Sequence, residues 1–492
     1  MMDSQTELRE SLLRRVLRLD GAMGTQIQRF GLSEADFRQG LGVEPARDVK
    51  GDNECLNLSR PDVIRAIHQA YVEAGADILE TNSFGANAIV QQDYGLAGLA
   101  PEMARAAACL AREVADAAPR KVWVAGSMGP GSKSLSLVSD FLRPEWRPCS
   151  FDEIAGSYEA QARALIEGGV DLILIETCFD AINAKAALFA VDRVRPGFPV
   201  IVSVSVSNSF GRTLTGQSLE AFFHAVNRSN LLAFGLNCSQ GAEGLVPLVR
   251  ELAGWCPVPV ICYPNAGLPN AQGAYDETPE TMARHMQDLD GIVNIAGGCC
   301  GTTPDHIRAL PELRPRPLPE ADNELKVSGL EAWPLAPGEG WSGEVSQILN
   351  REASPEFDAL IGQQEYDEAL MRAGEEVASG AMILDIKLDG LPDTAAEMER
   401  FVRLIQGDPS VSMAALMIDS MDWETLLAGL KNAQGKCIAR GISPKDGEAA
   451  FLEKARILRS LGAAIALLPD GTENQARTLL AGAGIPPQEI LS

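Results

Sequence analysis

The sequence contains few aromatic residues, few basic residues and no long apolar run. Aromatic residues make up 5% of its 492 residues, and 42 Lys and Arg stand against 67 Asp and Glu, which gives a formal net charge of -25. Such a surface repels polyanions, because the neutralisation of phosphates requires clustered cations. The composition therefore argues against nucleic-acid binding.

Membrane and export signals are also missing. No run of about 18 uninterrupted apolar residues occurs, so we expect no membrane span. Residues 1–15 mix acidic and basic side chains and have no apolar core of the kind that a secretory signal needs. These features predict a cytoplasmic protein.

The ten cysteines are scattered, and no C-x2–4-C pairs of the kind typical of structural zinc sites occur among them. This distribution fits a reducing compartment in which thiols stay free. Most of these residues are expected to be small buried hydrophobic side chains. That expectation applies to Cys55, Cys109, Cys149, Cys178, Cys256, Cys262 and Cys437.

Short apolar runs alternate with longer amphipathic stretches through residues 1–310, which is typical of repeated βα units. Eight runs occur, at residues 16–19, 76–79, 122–125, 172–175, 200–206, 231–236, 258–262 and 291–296. Eight strands followed by helices indicate a (β/α)8 TIM barrel rather than an open doubly wound sheet.

Three cysteines follow strands of this predicted barrel. Cys238 comes directly after the sixth run, and Cys299 and Cys300 come after the eighth, within a Gly-Gly-Cys-Cys-Gly segment. The carboxyl ends of barrel strands meet on one face, where catalytic residues lie. Three thiolates suit Zn²⁺ and leave a fourth position open, as in catalytic zinc sites. For any one of these cysteines alone, a buried thiol is the alternative.

Residues 311–343 are rich in Pro and Gly and are predicted to be a linker. Beyond it, residues 344–492 contain a second series of apolar runs, at 345–349, 381–386, 413–418, 437–439 and 463–468. Five strands predict a partial, truncated βα barrel-like domain. An open parallel-sheet edge is an aggregation hazard unless it is covered, so we expect an oligomer or a partner protein.

Several motifs resemble the homocysteine S-methyltransferases, which include betaine-homocysteine methyltransferase and the N-terminal module of cobalamin-dependent methionine synthase. They are Leu19-Asp20-Gly21-Ala22-Met23-Gly24-Thr25, Gly51-Asp52-Asn53, Leu56-Asn57-Leu58-Ser59-Arg60-Pro61-Asp62, Glu80-Thr81-Asn82, Gly235-Leu236-Asn237-Cys238 and Gly297-Gly298-Cys299-Cys300-Gly301-Thr302. The resemblance implies that the three cysteines hold zinc and that the substrate thiol takes the fourth position. It also implies a set of residues around the amino-acid end of homocysteine, namely Asp20, Gly21, Thr81, Ser127 and Glu176. Ordinary solvated or helix-capping acids are the alternative for Asp20 and Glu176.

The second half resembles a pterin-binding barrel. In that family, acids at the positions of Asp385 and Asp419 hydrogen-bond the pterin. The sequence departs from the family at Lys387 and around Arg440, where amides are expected, and it has fewer strands.

These features predict zinc-dependent transfer of a methyl group to the thiol of homocysteine, which forms methionine. No Asp-x-His-x-x-Gly segment for cobalamin occurs in the chain, so the donor is expected to be methylcobalamin on a separate corrinoid protein, or external methyltetrahydrofolate. One alternative is a self-contained enzyme with a small methyl-sulfonium or betaine donor. An alternative of another class is a non-catalytic docking protein that binds zinc or a pterin.

Overall fold

The computed structural model describes residues 4–45, 47–228, 230–320, 324–335 and 344–491. They form an eight-stranded parallel sheet, a two-stranded hairpin and a six-stranded parallel sheet. No helix within these residues is both long and apolar enough to cross a membrane.

The first sheet closes into the predicted barrel. Its strands follow the order β1-β8-β7-β6-β5-β4-β3-β2, and a parallel bridge between Leu19 and Ile78 joins the two ends. The strands are β1 (Leu17–Arg18), β2 (Ile78–Glu80), β3 (Trp123–Met128), β4 (Leu172–Cys178), β5 (Val200–Val204), β6 (Leu231–Gly241), β7 (Val260–Asn265) and β8 (Ile295–Ala296).

Thirteen α-helices accompany this barrel within the described residues. Local signals start several of them: α5 begins with Pro61, and Ser150 and Glu153 form a capping box at the start of α8. The helices are α1 (Ser4–Arg14), α2 (Met23–Arg29), α3 (Glu34–Arg38), α4 (Leu56–Ser59), α5 (Pro61–Glu73), α6 (Ala88–Gln91), α7 (Ala100–Ala117), α8 (Phe151–Glu167), α9 (Ala181–Val194), α10 (Leu219–Val226), α11 (Ala242–Trp255), α12 (Pro279–Met286) and α13 (Pro304–Ala309).

The amino-terminal end of the barrel is filled by α1. Leu8 and Leu12 of this helix are buried in the same apolar cluster as Leu17, Trp123 and other inward-facing strand residues. The interior is therefore a packed core, and only the carboxyl ends of the strands are left to form a site.

The predicted linker contains an antiparallel hairpin of β9 (Lys326–Ser328) and β10 (Ala332–Pro334). Val327 and Trp333 pack into the apolar cluster that fills the inner face of the second sheet. The turn of the hairpin also forms backbone hydrogen bonds with both parts of the chain. Leu330 N donates to Ser412 O, just before the strand Ala415–Asp419, at 2.9 Å, and Ser218 N, just before α10, donates to Leu330 O at 3.0 Å. This segment thus fastens the two parts of the chain together.

The second sheet has six parallel strands, not the five predicted. They are β11 (Val345–Ser346), β12 (Ile383–Ile386), β13 (Ala415–Asp419), β14 (Ile438–Arg440), β15 (Ala464–Ala466) and β16 (Ile490–Leu491). The missed strand β16 has only two residues, too few to show an apolar pattern, and it is defined by its pairing with β15. Because β11 and β16 each pair with one neighbour, the sheet stays an open half-barrel, as expected.

In the described part of residues 344–491, six helices cover the outer face of the half-barrel. They are α14 (Pro355–Gly362), α15 (Tyr366–Ala378), α16 (Thr394–Gly407), α17 (Trp423–Asn432), α18 (Glu448–Ser460) and α19 (Glu473–Gly482). Of these, α18 packs against α9 of the first barrel. Beside this contact, the fully buried Lys185 donates through Nζ to Ala433 O at 2.8 Å and Gly435 O at 3.2 Å.

The prediction that seven cysteines are buried is wrong for two of them. Cys109 is exposed and Cys149 is half-buried, whereas the other five are buried. Both exceptions lie at the outer surface of the barrel, on α7 and just before α8, where a small side chain fits without being enclosed.

Candidate functional site

The structure brings the three predicted thiols together at the carboxyl end of the barrel. Cys238 lies near the end of β6, and Cys299 and Cys300 follow β8. Their sulfur atoms all lie within 4.8 Å of one another, and the Sγ atoms of Cys238 and Cys300 are 3.9 Å apart. Hydrogen bonds from Cys299 and Cys300 lower the pKa of the Cys238 thiol.

This cluster fits a zinc ion. Thiolates bound tetrahedrally with metal–sulfur bonds of about 2.3 Å lie about 3.8 Å apart, close to the separation of the Cys238 and Cys300 sulfurs. Sulfur is also a ligand type that zinc prefers. With only three protein ligands, such a site would keep one position open for another group.

The backbone at this site adopts unusual conformations. Within the described residues, four residues other than glycine have a positive φ, and three of them are Thr177 (55°), Cys238 (58°) and Ser239 (57°). A β-branched residue such as Thr rarely adopts this region. Backbone strain of this kind is held by the surrounding structure and is concentrated at functional sites.

Asn237 holds the strained segments in place. Its Nδ2 donates to Thr177 Oγ1 at 2.8 Å and to Cys299 Sγ at 3.7 Å. Its Oδ1 accepts from Thr177 N at 3.1 Å and from Ser203 Oγ at 2.7 Å. The amide thereby joins the ends of β4, β5 and β6 to one of the thiols.

Two glycines beside the paired cysteines are required by close packing. A Cβ on Gly298 would lie 2.5 Å from Thr302 Oγ1, and one on Gly297 would lie 2.6 Å from Leu19 Cβ. Thr302 in turn donates through Oγ1 to Cys299 O at 2.7 Å. Because Gly297 and Gly298 have no side chains, the turn that contains Cys299 and Cys300 can pack closely against Leu19 and Thr302.

A cavity of about 280 Å³ opens above the thiols. Of the five residues predicted around the substrate, Thr81, Ser127 and Glu176 line this cavity, together with all three cysteines. Asp20 and Gly21 do not line it. Asp20 lies one layer deeper, where its Oδ2 accepts from Glu80 N at 3.1 Å.

Gly21, which lies behind the cavity wall, and Thr81, which belongs to it, both make close contacts. A Cβ on Gly21 would lie 2.7 Å from Thr302 Oγ1. Thr81 Oγ1 accepts from Ser127 N at 3.0 Å and contacts Ser83 Oγ at 2.6 Å. These contacts fix the ends of β2 and β3 relative to each other.

Glu176 is a buried carboxylate of the cavity wall. Ser127 Oγ donates a short hydrogen bond to its Oε1, and Tyr263 OH donates to its Oε2 at 3.5 Å. Burial raises the pKa of Glu176 to about 7. A cationic group placed next to this carboxylate would therefore be attracted strongly, because little water is present to screen the two charges.

A third acid, Glu80, lies beside Asp20 and Glu176 and was not among the predicted site residues. It lines the cavity, and its Oε1 is buried without a hydrogen-bond partner in the described part of the chain. Burial, reinforced by the negative charge of Glu176, raises the pKa of Glu80 well above its usual range. Its position as the last residue of a strand was the signal in the sequence, but strand ends are polar in many proteins.

Asp385 and Asp419 come together at the carboxyl ends of the second sheet. Asp385 is fully buried and accepts from Asn350 Nδ2 at 2.7 Å. Asp419 lines a cavity of about 240 Å³ and lies 3.9 Å from Lys387 Nζ and 3.6 Å from the Arg440 guanidinium. Burial, followed by repulsion from Asp385, raises the pKa of Asp419 to about 6. The charged residues that depart from the pterin-binding pattern thus occupy this cavity wall.

A closed parallel barrel with a thiol cluster at its carboxyl end defines a TIM-barrel protein with a candidate catalytic metal centre. Residues 17–313 match the family model described as homocysteine S-methyltransferase, and residues 346–480 match the model described as pterin binding enzyme. The chain belongs to the homocysteine S-methyltransferase family.

One solved structure supports the barrel fold of the first part of the chain. The oxidized form of the homocysteine methyltransferase MmuM from Escherichia coli is 22% identical, with a TM-score of 0.50, over 63% of this chain and 98% of that chain. The metallated form of MmuM is also 22% identical, with a TM-score of 0.46, over 63% of this chain and 99% of that chain.

Proposed function

We propose that this protein transfers a methyl group to the thiol of homocysteine in a zinc-dependent reaction and thereby forms methionine. The observation that carries the proposal is the meeting of three thiols and a set of buried carboxylates in one cavity. Residues 1–310 would act as the homocysteine-binding part, residues 311–343 as the connection, and residues 344–492 as a truncated pterin-binding-like part.

Cys238, Cys299 and Cys300 would hold the metal. The chemistry supplied by a bound zinc ion is activation of the substrate thiol, whose pKa it lowers so that the sulfur is a nucleophile near neutral pH. Asn237, which bonds to Cys299, would keep the thiol cluster in register with β4 and β5.

The buried acids would bind the ammonium group of homocysteine. Glu176 and Glu80 both line the cavity, and Asp20 lies directly behind Glu80. Their carboxylates repel one another in the absence of a cation, and the substrate ammonium would relieve that repulsion. Ser127 would orient Glu176 through its hydrogen bond.

Methyl transfer then requires little acid–base chemistry from the chain. The substrate sulfur forms a bond to the methyl carbon while the bond from that carbon to the donor breaks, and the donor leaves with the electron pair. Such an in-line displacement gains most of its rate from positioning. The walls of the cavity would supply that positioning by fixing both the amino-acid end and the sulfur end of the substrate.

The proposed donor is a methyl-corrinoid carried by a separate protein. A cavity of about 280 Å³ accommodates an amino acid but is much too small to enclose a corrinoid ring. The donor would therefore approach from outside, above the thiol cluster. A second candidate donor is methyltetrahydrofolate held by the second sheet, which the match to the pterin-binding model at residues 346–480 favours.

A metal and activity assay tests the proposal. We expect the purified protein to contain one zinc per chain and to lose it in Cys238→Ser, Cys299→Ser and Cys300→Ser, while the exposed Cys109→Ser retains it as a matched control. Methionine formation is then assayed with methylcobalamin, methyltetrahydrofolate, S-methylmethionine and betaine in turn. Full zinc content in all three site variants would contradict the metal site, and activity with betaine or S-methylmethionine alone would contradict the corrinoid donor.

A further inference from the structure

A second cavity, of about 590 Å³, lies at the contact between the first barrel and the half-barrel and is open to solvent on one side. Its walls come from the end of α9, the segment after α10, the end of α18 and the turn that follows α19. We call this region the seam cavity. Its volume is in the range of small-molecule sites, and such sites occur preferentially between domains.

The lining of the seam cavity is unusually cationic. Four arginines and a single acid, Asp192, contribute to it, whereas the chain as a whole has an excess of acids. The four are Arg193, Arg228, Arg456 and Arg459. This reversal of the overall charge concentrates positive potential in one cleft.

Arg228 forms no direct ion pair in the part of the chain that the structure describes. Its side chain is 7% exposed, and its guanidinium donates only to backbone carbonyls, those of Ala225 and Asn227 at 3.1 Å and Ser460 at 3.3 Å. Its Nε has no hydrogen-bond partner, and no carboxylate forms an ion pair with it among the described residues. Buried charges are normally paired, because an isolated buried charge is costly.

Two acids, Asp192 and Glu489, lie near enough to attract the Arg228 guanidinium, but both are shared with other groups or weakened by burial. Glu489 forms ion pairs of 2.7 Å with both Arg459 and Lys436, so one carboxylate already serves two cations. Asp192 accepts from Asn230 Nδ2 at 3.3 Å, and burial raises the pKa of its carboxyl. The seam therefore keeps an excess of positive charge next to the cavity.

Beside Asn230 and Ser460, the rest of the lining is mostly apolar. Phe189 and Ile485 are buried residues that face the cavity from the two sides of the seam, and Ile457 adds a half-buried aliphatic side chain. A ligand complementary to this lining has an apolar part that contacts these side chains and a negative charge that contacts the arginines.

From these observations we propose that the seam cavity is a ligand site for a small organic anion, with one acidic group placed against Arg228 and Arg456 and a ring-containing apolar body against Phe189, Ile457 and Ile485. Because the walls come from both parts of the chain, such a ligand would bind only when the seam is formed and would stabilise it. The site is separate from the thiol cluster and does not depend on methyl transfer.

The test uses the full-length protein and two fluorescent probes that share an aromatic body. Anilinonaphthalene sulfonate carries one negative charge, and N-phenylnaphthylamine carries none. We expect one saturable site for the sulfonate and binding at least about tenfold weaker for the neutral probe, since a charge-assisted contact of this kind contributes about 1.4 kcal/mol or more. Saturating homocysteine should not displace the sulfonate.

Substitutions of lining residues test whether the sulfonate probe binds in the seam cavity. Because Arg228 also joins backbone segments, its replacement can loosen the seam, so two other lining residues decide the question. We expect Ala483→Trp, which fills the cavity, to abolish the saturable site, and Arg456→Gln to weaken it about three- to tenfold. Lys454→Gln, on the same helix as Arg456 but outside the lining, is the matched control and should bind as the native protein does.

Three outcomes would overturn the proposal. They are equal sulfonate affinity in the native protein, Ala483→Trp and Arg456→Gln; equal affinity for the charged and neutral probes; and displacement of the sulfonate by homocysteine. Each variant is first compared with the native protein by circular dichroism, so that lost binding is attributed to the cavity and not to unfolding.

Discussion

The amide nitrogen of Asn237 lies 3.7 Å from Cys299 Sγ, and the same amide bonds Thr177 in its left-handed conformation. One side chain thus connects a candidate metal ligand to the strained end of a neighbouring strand. Hydrogen-bonding partners of metal ligands orient them and tune their affinity for the metal. Asn237 is therefore a positioning residue for the thiol cluster.

Replacement of Asn237 tests this role. We expect Asn237→Ala to lower zinc affinity about 10- to 100-fold, because Cys299 and Thr177 lose the group that fixes them. Chelator competition measures the zinc affinity, and Asn474→Ala on the exposed side of α19 is the control. An unchanged affinity in Asn237→Ala would show that the amide supports only the strand ends.

Glu80 offers a test of the acid cluster. Burial, together with Glu176 and Asp20, raises the pKa of the Glu80 carboxyl, which costs folding free energy near neutral pH. Glu80→Gln removes this cost, so the substrate-free protein should gain about 0.5–2 kcal/mol of stability. The same change removes a partner of the substrate ammonium, so we expect KM for homocysteine to rise about tenfold or more while zinc content stays the same. Thermal unfolding and steady-state kinetics give the two readouts.

The exposed Glu453→Gln is the matched control for Glu80→Gln, because it removes one acid from α18 far from the thiols. A fall in stability together with an unchanged KM would mean that Glu80 serves the packing of β2 and not the substrate.

His68 should make the protein sensitive to acid. It is fully buried on α5 with neither ring nitrogen hydrogen-bonded, and burial lowers its pKa to about 4 from an ordinary value of 6.5. Between pH 6.5 and 4 the unfolded chain therefore binds a proton that the folded chain does not, so stability falls as the pH falls, by up to about 1.4 kcal/mol per pH unit.

When the pH is lowered from 7 to 5, the native protein should lose up to about 2 kcal/mol of stability through His68. We expect His68→Leu to lack this part of the loss. Urea unfolding at the two pH values measures the difference. Ala66→Leu, on the exposed face of the same helix, introduces an equal side chain without removing a titratable group and should leave the native pH dependence in place. Identical pH slopes in all three proteins would rule out His68 as the source.

Lys185 tests the attachment of the half-barrel. It is buried at the seam, and its ammonium satisfies the carbonyl oxygens of Ala433 and Gly435. Lys185→Ala would leave both acceptors buried without a donor and open a gap, so we expect a loss of about 2–4 kcal/mol in stability.

The loss in Lys185→Ala should be accompanied by faster protease cleavage within residues 311–343, because the two parts of the chain separate more readily. The exposed Lys50→Ala serves as the control. Native-like proteolysis of Lys185→Ala would indicate that the hairpin β9–β10 alone fastens the half-barrel.

Much of the site could be predicted because its signals are local. Cys238 and the Cys299–Cys300 pair each follow an apolar run directly, and the geometry of a parallel barrel gathers such positions on one face. Glu80 also ends a strand and belongs to the Glu80-Thr81-Asn82 motif, yet the motif gives it no role of its own. Its significance comes from Asp20 and Glu176, which are distant in sequence and meet it only when β1, β2 and β4 assemble.

The alternation of strands and helices in the barrel and the choice of three thiols as candidate ligands follow from the sequence, because strand patterns and ligand chemistry are properties of short segments. The sixth strand Ile490–Leu491, the link between Asn237 and Cys299, and the cationic seam cavity are visible only in the folded chain. Each of these depends on which segments pair, how deeply a charge is buried and what partner it then lacks, and those quantities arise only when distant parts of the chain pack together.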